Sequence, residues 1–215
     1  MKAAFFDMDN TLLRGDSGMS WTRFLYKRGE LPTQMLAKAL YWSTLYKLAV
    51  LDMESVFTKL CLGLRGDSED EMIAKCDLWY RQDIAPLIAP AARVAIEAHR
   101  SAGHVIVLAT GSTAYAARPV AKGVGIDHVL ATELEVHGGK FTGRPRTLCF
   151  GHHKVRLAEK WAEAHGIDLA ASYFYSDSYN DLPMLKRVGK AVAINPDARL
   201  RRHARKHGWS ISQWS

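Results

Sequence analysis

The sequence sets one lone strand about a hundred residues away from the rest of its sheet, with a helical excursion of about seventy residues between them. Residues 2–6 form a short apolar run that stops at Asp7 and reads as a buried strand. From about Ser17 to Ala85 the pattern is helical instead: Trp21, Phe24 and Leu25; the apolar run after Pro32; Met53 to Leu62; Asp70 to Ile84. Asp52 and Ser68 read as helix N-caps, and Ser68–Glu71 as a capping box. After Pro90 strands and helices alternate. A helix (Ala91–Arg100) leads to a strand (His104–Ala109), then to a helical segment interrupted at Pro119. A short strand, Val129–Ala131, precedes a hairpin signal, in which Glu133–Val136 and Lys140–Thr142 flank His-Gly-Gly. There follow a helix (His153–His165), a strand (Tyr173–Ser176), a helix (Asp181–Arg187), a strand (Ala191–Ile194) and a helix (Asp197–Lys206). This alternation predicts an α/β fold, a doubly wound parallel sheet covered on both faces. Residues 1–15 and 89–215 are its core, and residues 16–88 an inserted all-helical cap.

Composition limits what such a chain does. With 48% hydrophobic residues among 215 it has ample material for a core, and disorder is excluded. Its formal charge is +7, and residues 186–215 carry all of that excess, with eight bases and one acid. A basic tail opens the question of nucleic acid or another anionic surface. The five bases Arg199, Arg201, Arg202, Arg205 and Lys206 read as a solvated helix face, and no nucleic-acid partner is expected. The three cysteines, Cys61, Cys76 and Cys149, lack a C-x-x-C pair and fit a reducing, cytoplasmic setting. The first residues are too short an apolar run for a signal peptide. Met35–Leu51 is nearly all apolar but carries Lys38 and Lys47, which fall on opposite faces of a helix. The run is too short to span a bilayer and reads as buried or covered by a partner, so no transmembrane segment is expected.

Chemistry gathers at the predicted strand ends, where open α/β sheets bind ligands. Asp7 and Asp9 follow the first strand, Thr110-Gly111-Ser112 the second, and Asp177 a later one, with Asn180 and Asp181 just beyond it. If the strands are neighbours, three acids converge, and a hard divalent cation such as Mg²⁺ relieves their repulsion. Thr110-Gly111-Ser112 offers two hydroxyls and backbone N–H groups at a helix start, a ready anion site. Lys154 near a helix N-terminus is disfavoured by the macrodipole unless an anion joins it. An anion, a metal and paired carboxylates together point to phosphoryl transfer.

Asp7-x-Asp9-x-Thr11, Thr110 at a strand end, Lys154 and Asp177-x-x-Asn180-Asp181 resemble the four motifs of the haloacid dehalogenase superfamily. The helical cap and the hairpin before the lysine resemble its subfamily IB, which includes phosphoserine phosphatases. Tyr175-Ser-Asp-Ser-Tyr-Asn-Asp-Leu-Pro and Asn195-Pro-Asp resemble that subfamily too. The resemblance implies a Rossmann-like core with a C1-type cap, acting as a Mg²⁺-dependent phosphomonoester hydrolase. It implies that Asp7 is the nucleophile and that Asp9 protonates the leaving group and then activates water. Thr110, Gly111 and Lys154 would hold the phosphoryl oxygens. Asp7, the Asp9 carbonyl and Asp177 would bind the metal, supported by Asn180 and Asp181.

The substrate would be a small phosphorylated metabolite, with phosphoserine and histidinol phosphate as types. Asp16 stands where phosphoserine phosphatases carry a glutamate that contacts the substrate amine, and it is a candidate for that contact. No cap arginine matches cleanly; Lys59 is nearby and Arg65 is a loose candidate. The cap aromatics read as cap core or as a partner interface, such as a homodimer through the cap. Three alternatives stay open: transfer of the phosphoryl group to an acceptor other than water, an anion- or nucleic-acid-binding protein that uses the basic tail, and a peripheral enzyme whose Met35–Leu51 helix touches lipid.

Overall fold

The computed structural model describes residues 1–32 and 53–214. Seven strands form one sheet: β1 (Ala3–Phe6), β2 (Val105–Thr113), β3 (His128–His137), β4 (Lys140–Thr147), β5 (Tyr173–Ser176), β6 (Lys190–Ile194) and β7 (Ser210–Ser212). Their order is β4-β3-β2-β1-β5-β6-β7, and all neighbours are parallel except β3 and β4. The described helices are α1 (Ser17–Lys27), α2 (Met53–Gly63), α3 (Glu69–Trp79), α4 (Pro90–Ser101), α5 (Ala114–Gly123), α6 (Gly151–Ala164), α7 (Leu182–Arg187) and α8 (Ala198–His207).

The sheet is buried on both faces, so its central strands read as unbroken apolar runs. Side chains alternate along β1. Ala4 and Phe6 join Ile106 and Leu108 against Ala92 and Ile96 of α4 and Val120 of α5. Ala3 and Phe5 join Val107 and Phe174 against Ala158 of α6, Met184 of α7 and Leu200 of α8. Helices on both faces of a mostly parallel sheet are the doubly wound arrangement.

The insertion between β1 and α4 is helical among its described residues. Its two ends are paired where they leave the core: Leu13 forms an antiparallel bridge with Ile88. Arg14 N–H donates to the Leu87 carbonyl at 2.8 Å, and Ala89 N–H to that of Leu12 at 2.9 Å. Farther out, the α2–α3 loop is bonded to the β3–β4 hairpin, Gly66 N–H to Phe141 O and Glu69 N–H to Gly139 O. Phe24, Trp79 and Ile84 of the insertion belong to the same buried cluster as β1 and α4. Trp21, half-buried, packs on that cluster and meets the Trp79 ring edge-on at 5.5 Å, so of the two readings, cap core or partner interface, these three aromatics take the first.

Several local expectations change. Pro119 does not interrupt α5; it lies buried at the sixth position, its missing N–H costing one helical bond. β3 runs unbroken from His128 to His137, turning at Gly138 and Gly139, whose φ of +58° and +73° suit a tight hairpin. The helix expected to reach Ile84 ends at Trp79, followed by a wide turn (Tyr80–Ile84) and a tight one (Ala85–Leu87) containing Pro86. β7 was not expected; it follows Gly208, which ends α8 in the left-handed region. The Asp52 cap and the Met35–Leu51 run lie outside the described residues. Among those described, no helix is long and apolar enough to cross a membrane.

Candidate active site

Topology brings the predicted strand ends together. β1 lies between β2 and β5, so the residues after Phe6, the Thr110 end of β2 and the residues after Ser176 share one edge of the sheet. Beyond β1 the chain makes a wide turn, closed by Leu12 N–H to Asp7 O and Leu13 N–H to Met8 O. Asn10 sits in the left-handed region at φ +51°, which asparagine tolerates. The Asp7 N–H is tied to the Tyr175 carbonyl of β5 at 2.9 Å.

Lys154, on the first turn of α6, is 2% exposed and its ammonium joins two acids. Nζ lies 3.0 Å from Asp7 Oδ1 and 2.8 Å from Asp181 Oδ2. The Ser176 hydroxyl donates to the same Asp181 oxygen at 2.8 Å. Burial works against the lysine's charge, but attraction to Asp181 and Asp7 outweighs it and lifts its pKa above the ordinary range. Lys154 is therefore a fixed cation. Its place near a helix N-terminus, unfavourable alone, is compensated by these two carboxylates.

One cation does not neutralise the acids around it. Burial raises Asp7 to about 7, with Lys154 opposing and Asp181 and Asp9 adding repulsion. Burial raises Asp9 to about 6, with Asp16 adding repulsion and hydrogen bonds from Ser17 and Ser112 opposing. Asp177 goes to about 9, through burial and repulsion from Asp7, Asp181 and Asp9. Oxygen-only donors short of positive charge fit a hard divalent cation by donor chemistry. Among the described residues no three carboxylate, thiol or imidazole side chains close into a metal cage. A set of two carboxylates plus the Asp9 backbone carbonyl does not require one.

The remaining expected residues take defined positions. Thr110 is buried, and its Oγ1 accepts the Ser112 N–H at 3.2 Å. Gly111 is anchored through its carbonyl by the Thr132 hydroxyl at 3.0 Å, and Thr132 Oγ1 also accepts the Cys149 N–H. Asn180 lies in the short turn after β5, its N–H donating to Ser178 Oγ at 3.2 Å. Asp16 is the N-cap of α1, accepting the Met19 N–H at 2.9 Å. Arg65 is exposed beside Gly143 of the hairpin, and Lys59 is exposed on α2.

Three serines and an aspartate were not singled out from sequence in these roles. Ser17 N–H donates to Asp9 Oδ1 at 2.6 Å, and Ser112 Oγ to Asp9 Oδ2 at 3.4 Å. Ser176 supports Asp181. Asp197 caps α8 and accepts the Tyr179 N–H at 2.7 Å, while its own N–H donates to the Asp177 carbonyl. The Asn-Pro-Asp motif thus braces the loop carrying Asp177. The basic helix α8 stands outside this cluster with Arg199, Arg202, Arg205 and Lys206 exposed.

Comparison with known proteins bears on the family and the fold. A phosphoserine phosphatase of Mycobacterium tuberculosis is 36% identical over 214 residues, covering 97% of this chain and 70% of its own. A histidinol-phosphatase of Neisseria meningitidis is 31% identical over 216 residues, covering 97% and 96%. A Bordetella pertussis structure of unknown function superposes with a TM-score of 0.88 at 32% identity, covering 100% and 99%. The haloacid dehalogenase-like hydrolase family matches residues 4–186, and the chain belongs to that family.

Proposed function

We propose that this protein is a Mg²⁺-dependent phosphomonoester hydrolase acting on a small phosphorylated metabolite through an aspartyl-phosphate. The observation that carries the reading is the buried Lys154 bridge between Asp7 and Asp181 at the Thr110 strand end. The carboxylate of Asp7 attacks phosphorus. Asp9, raised toward neutrality by burial, donates a proton to the leaving oxygen and later takes one from water. Lys154, the Thr110 hydroxyl and the Gly111 backbone hold the phosphoryl oxygens. Mg²⁺ bound by Asp7, the Asp9 carbonyl and Asp177 would supply charge neutralisation, with Asn180 and Asp181 orienting that set. Residues 16–88 act as the cap that excludes water while the ester is cleaved. Three free, buried cysteines support a cytoplasmic setting.

Phosphoserine and histidinol phosphate, named for the two relatives, are both phosphate esters of 2-amino alcohols. We assign this chain the same substrate class, with Asp16 offered to the amine. The deciding experiment is phosphate release from p-nitrophenyl phosphate by the wild type and by Asp7→Asn. Wild-type turnover should vanish in the variant, and undiminished turnover would sink the nucleophile assignment. Adding acceptor alcohols and analysing products separates hydrolysis from transfer.

A further inference from the structure

Asp9 is gripped on both carboxyl oxygens by residues from two different elements. The Ser17 N–H, one of the orphan donors in the first turn of α1, reaches Oδ1 at 2.6 Å. The Ser112 hydroxyl, near the end of β2, reaches Oδ2 at 3.4 Å. The Ser17 and Ser112 hydroxyls are 3.2 Å apart, so each fixes the other's rotation. The two grips differ chemically. A backbone N–H only donates, so Oδ1 keeps a bare lone pair in every state of the acid. A hydroxyl donates or accepts, so Ser112 can face Oδ2 whether or not that oxygen carries a proton.

We propose that Ser112 is a positioning residue that keeps the proton-carrying oxygen of Asp9, Oδ2, aimed at the leaving group, with the Ser17 hydroxyl holding Ser112 in turn. The inference rests on the phosphatase reading above. In the first half-reaction an Asp7 oxygen bonds to phosphorus and the ester P–O bond breaks. The electron pair goes to the leaving oxygen, which takes the Oδ2 proton. In the second, water attacks phosphorus and gives a proton to Oδ2, and the Asp7–phosphorus bond breaks with its pair returning to Asp7. Ser112 donates to a lone pair of Oδ2 both before and after the first transfer, so the Oδ2 proton points away from Ser112 and toward the leaving oxygen. It neither gains nor loses a proton overall.

The test compares two esters by kcat/KM, which reports events only through the first phosphoryl transfer. An alkyl phosphate such as 2-aminoethyl phosphate needs the Asp9 proton, whereas p-nitrophenolate leaves well without it. Ser112→Ala should lower kcat/KM for the alkyl ester about 10- to 100-fold and for the nitrophenyl ester by less than about threefold. Inhibition by inorganic phosphate should be unchanged, and Ser112→Thr, which keeps the hydroxyl, should recover the alkyl ester selectively. Equal losses on both esters mark a structural role and overturn the proposal. If Ser112→Ala does not fold, Ser17→Ala serves in its place, since it keeps the N–H to Oδ1 and removes only the supporting hydroxyl. It should show a smaller loss confined to the alkyl ester, and equal losses again overturn the proposal. A folded wild type inert on both esters overturns the phosphatase reading and this inference with it. An active wild type with equal losses overturns the positioning role alone.

Discussion

Lys154 is held more closely by Asp181 than by Asp7: Nζ lies 2.7 Å from Asp181 Oδ1 and 3.0 Å from Asp7 Oδ1. Asp181, braced by Ser176, sets where the ammonium sits, and Asp7 shares a cation that is already placed. Removing Asp181 would therefore do more than delete a neighbour of the metal site. Asp181→Ala leaves Lys154 paired with Asp7 and removes one acid from a site rich in them, so it should destabilise the fold by less than the roughly 3–5 kcal/mol of a fully stranded buried charge. It should also abolish turnover. Urea unfolding monitored with activity checks both, and a variant as stable as wild type would contradict the anchoring role.

Divalent cation binding should be visible without turnover. Mg²⁺, proposed to bind only the folded site, should raise the melting temperature of chelator-treated protein in a concentration-dependent way. Asp177→Asn should remove most of that rise. EDTA should remove activity and Mg²⁺ restore it; full activity in chelator refutes the metal assignment.

Asp16 sits at the junction of local structure and chemistry. Its charge helps raise Asp9, and its Oδ1 caps α1. Asp16→Asn keeps an acceptor for the Met19 N–H, so stability should change by less than about 1 kcal/mol. Losing the charge lowers the Asp9 pKa, and Asp9 must be protonated to act as an acid. The alkaline limb of kcat/KM for alkyl phosphates should therefore move to lower pH. If Asp16 also meets the substrate amine, KM should rise for 2-amino alcohol phosphates and not for their amine-free analogues.

A second titration lies away from the chemistry. His99 bonds to Tyr175 Oη at 2.7 Å and to His104 Nδ1 at 2.8 Å, and faces Tyr173 and Lys190. Burial, with repulsion from His104 and Lys190, lowers its pKa from 6.5 to about 4. Between those values the unfolded chain binds the extra proton at this residue, so the His99 contribution to stability falls as pH drops from about 6.5 to about 4, by at most about 1.4 kcal/mol per pH unit, while the raised Asp7, Asp9 and Asp177 contribute in the opposite direction. Its contribution is complete above pH 6.5. Denaturation curves across this window should show the stability of wild type minus that of His99→Asn falling as pH drops, and a constant difference would contradict the assignment.

The acids and the lysine were legible because buried strands ending in Asp7 and Asp177 declare both their faces and their chemistry. The hairpin was legible because two glycines at positive φ have few other uses. Ser17, Ser112 and Ser176 were not read in these roles, since serine is common in turns and caps and their partners come from other elements. β7 escaped because three residues, Ser-Ile-Ser, carry too little alternation to separate a strand from a tail. Pro119 misled because the sequence shows its missing N–H but not its burial within α5.

The paired stem of Leu12–Arg14 and Leu87–Ala89 has a consequence for how the chain closes on itself. It brings the two ends of a long excursion side by side, so to the sheet the whole insertion is equivalent to a tight turn. Loop-closure entropy grows only logarithmically with length, so replacing the insertion by a shorter or longer one changes that cost by fractions of a kcal/mol. The scaffold carrying Asp7, Thr110, Lys154 and Asp177 is thereby insulated from the length of what it carries, and a different insertion could be spliced onto the same stem without re-registering β1 against β2 and β5.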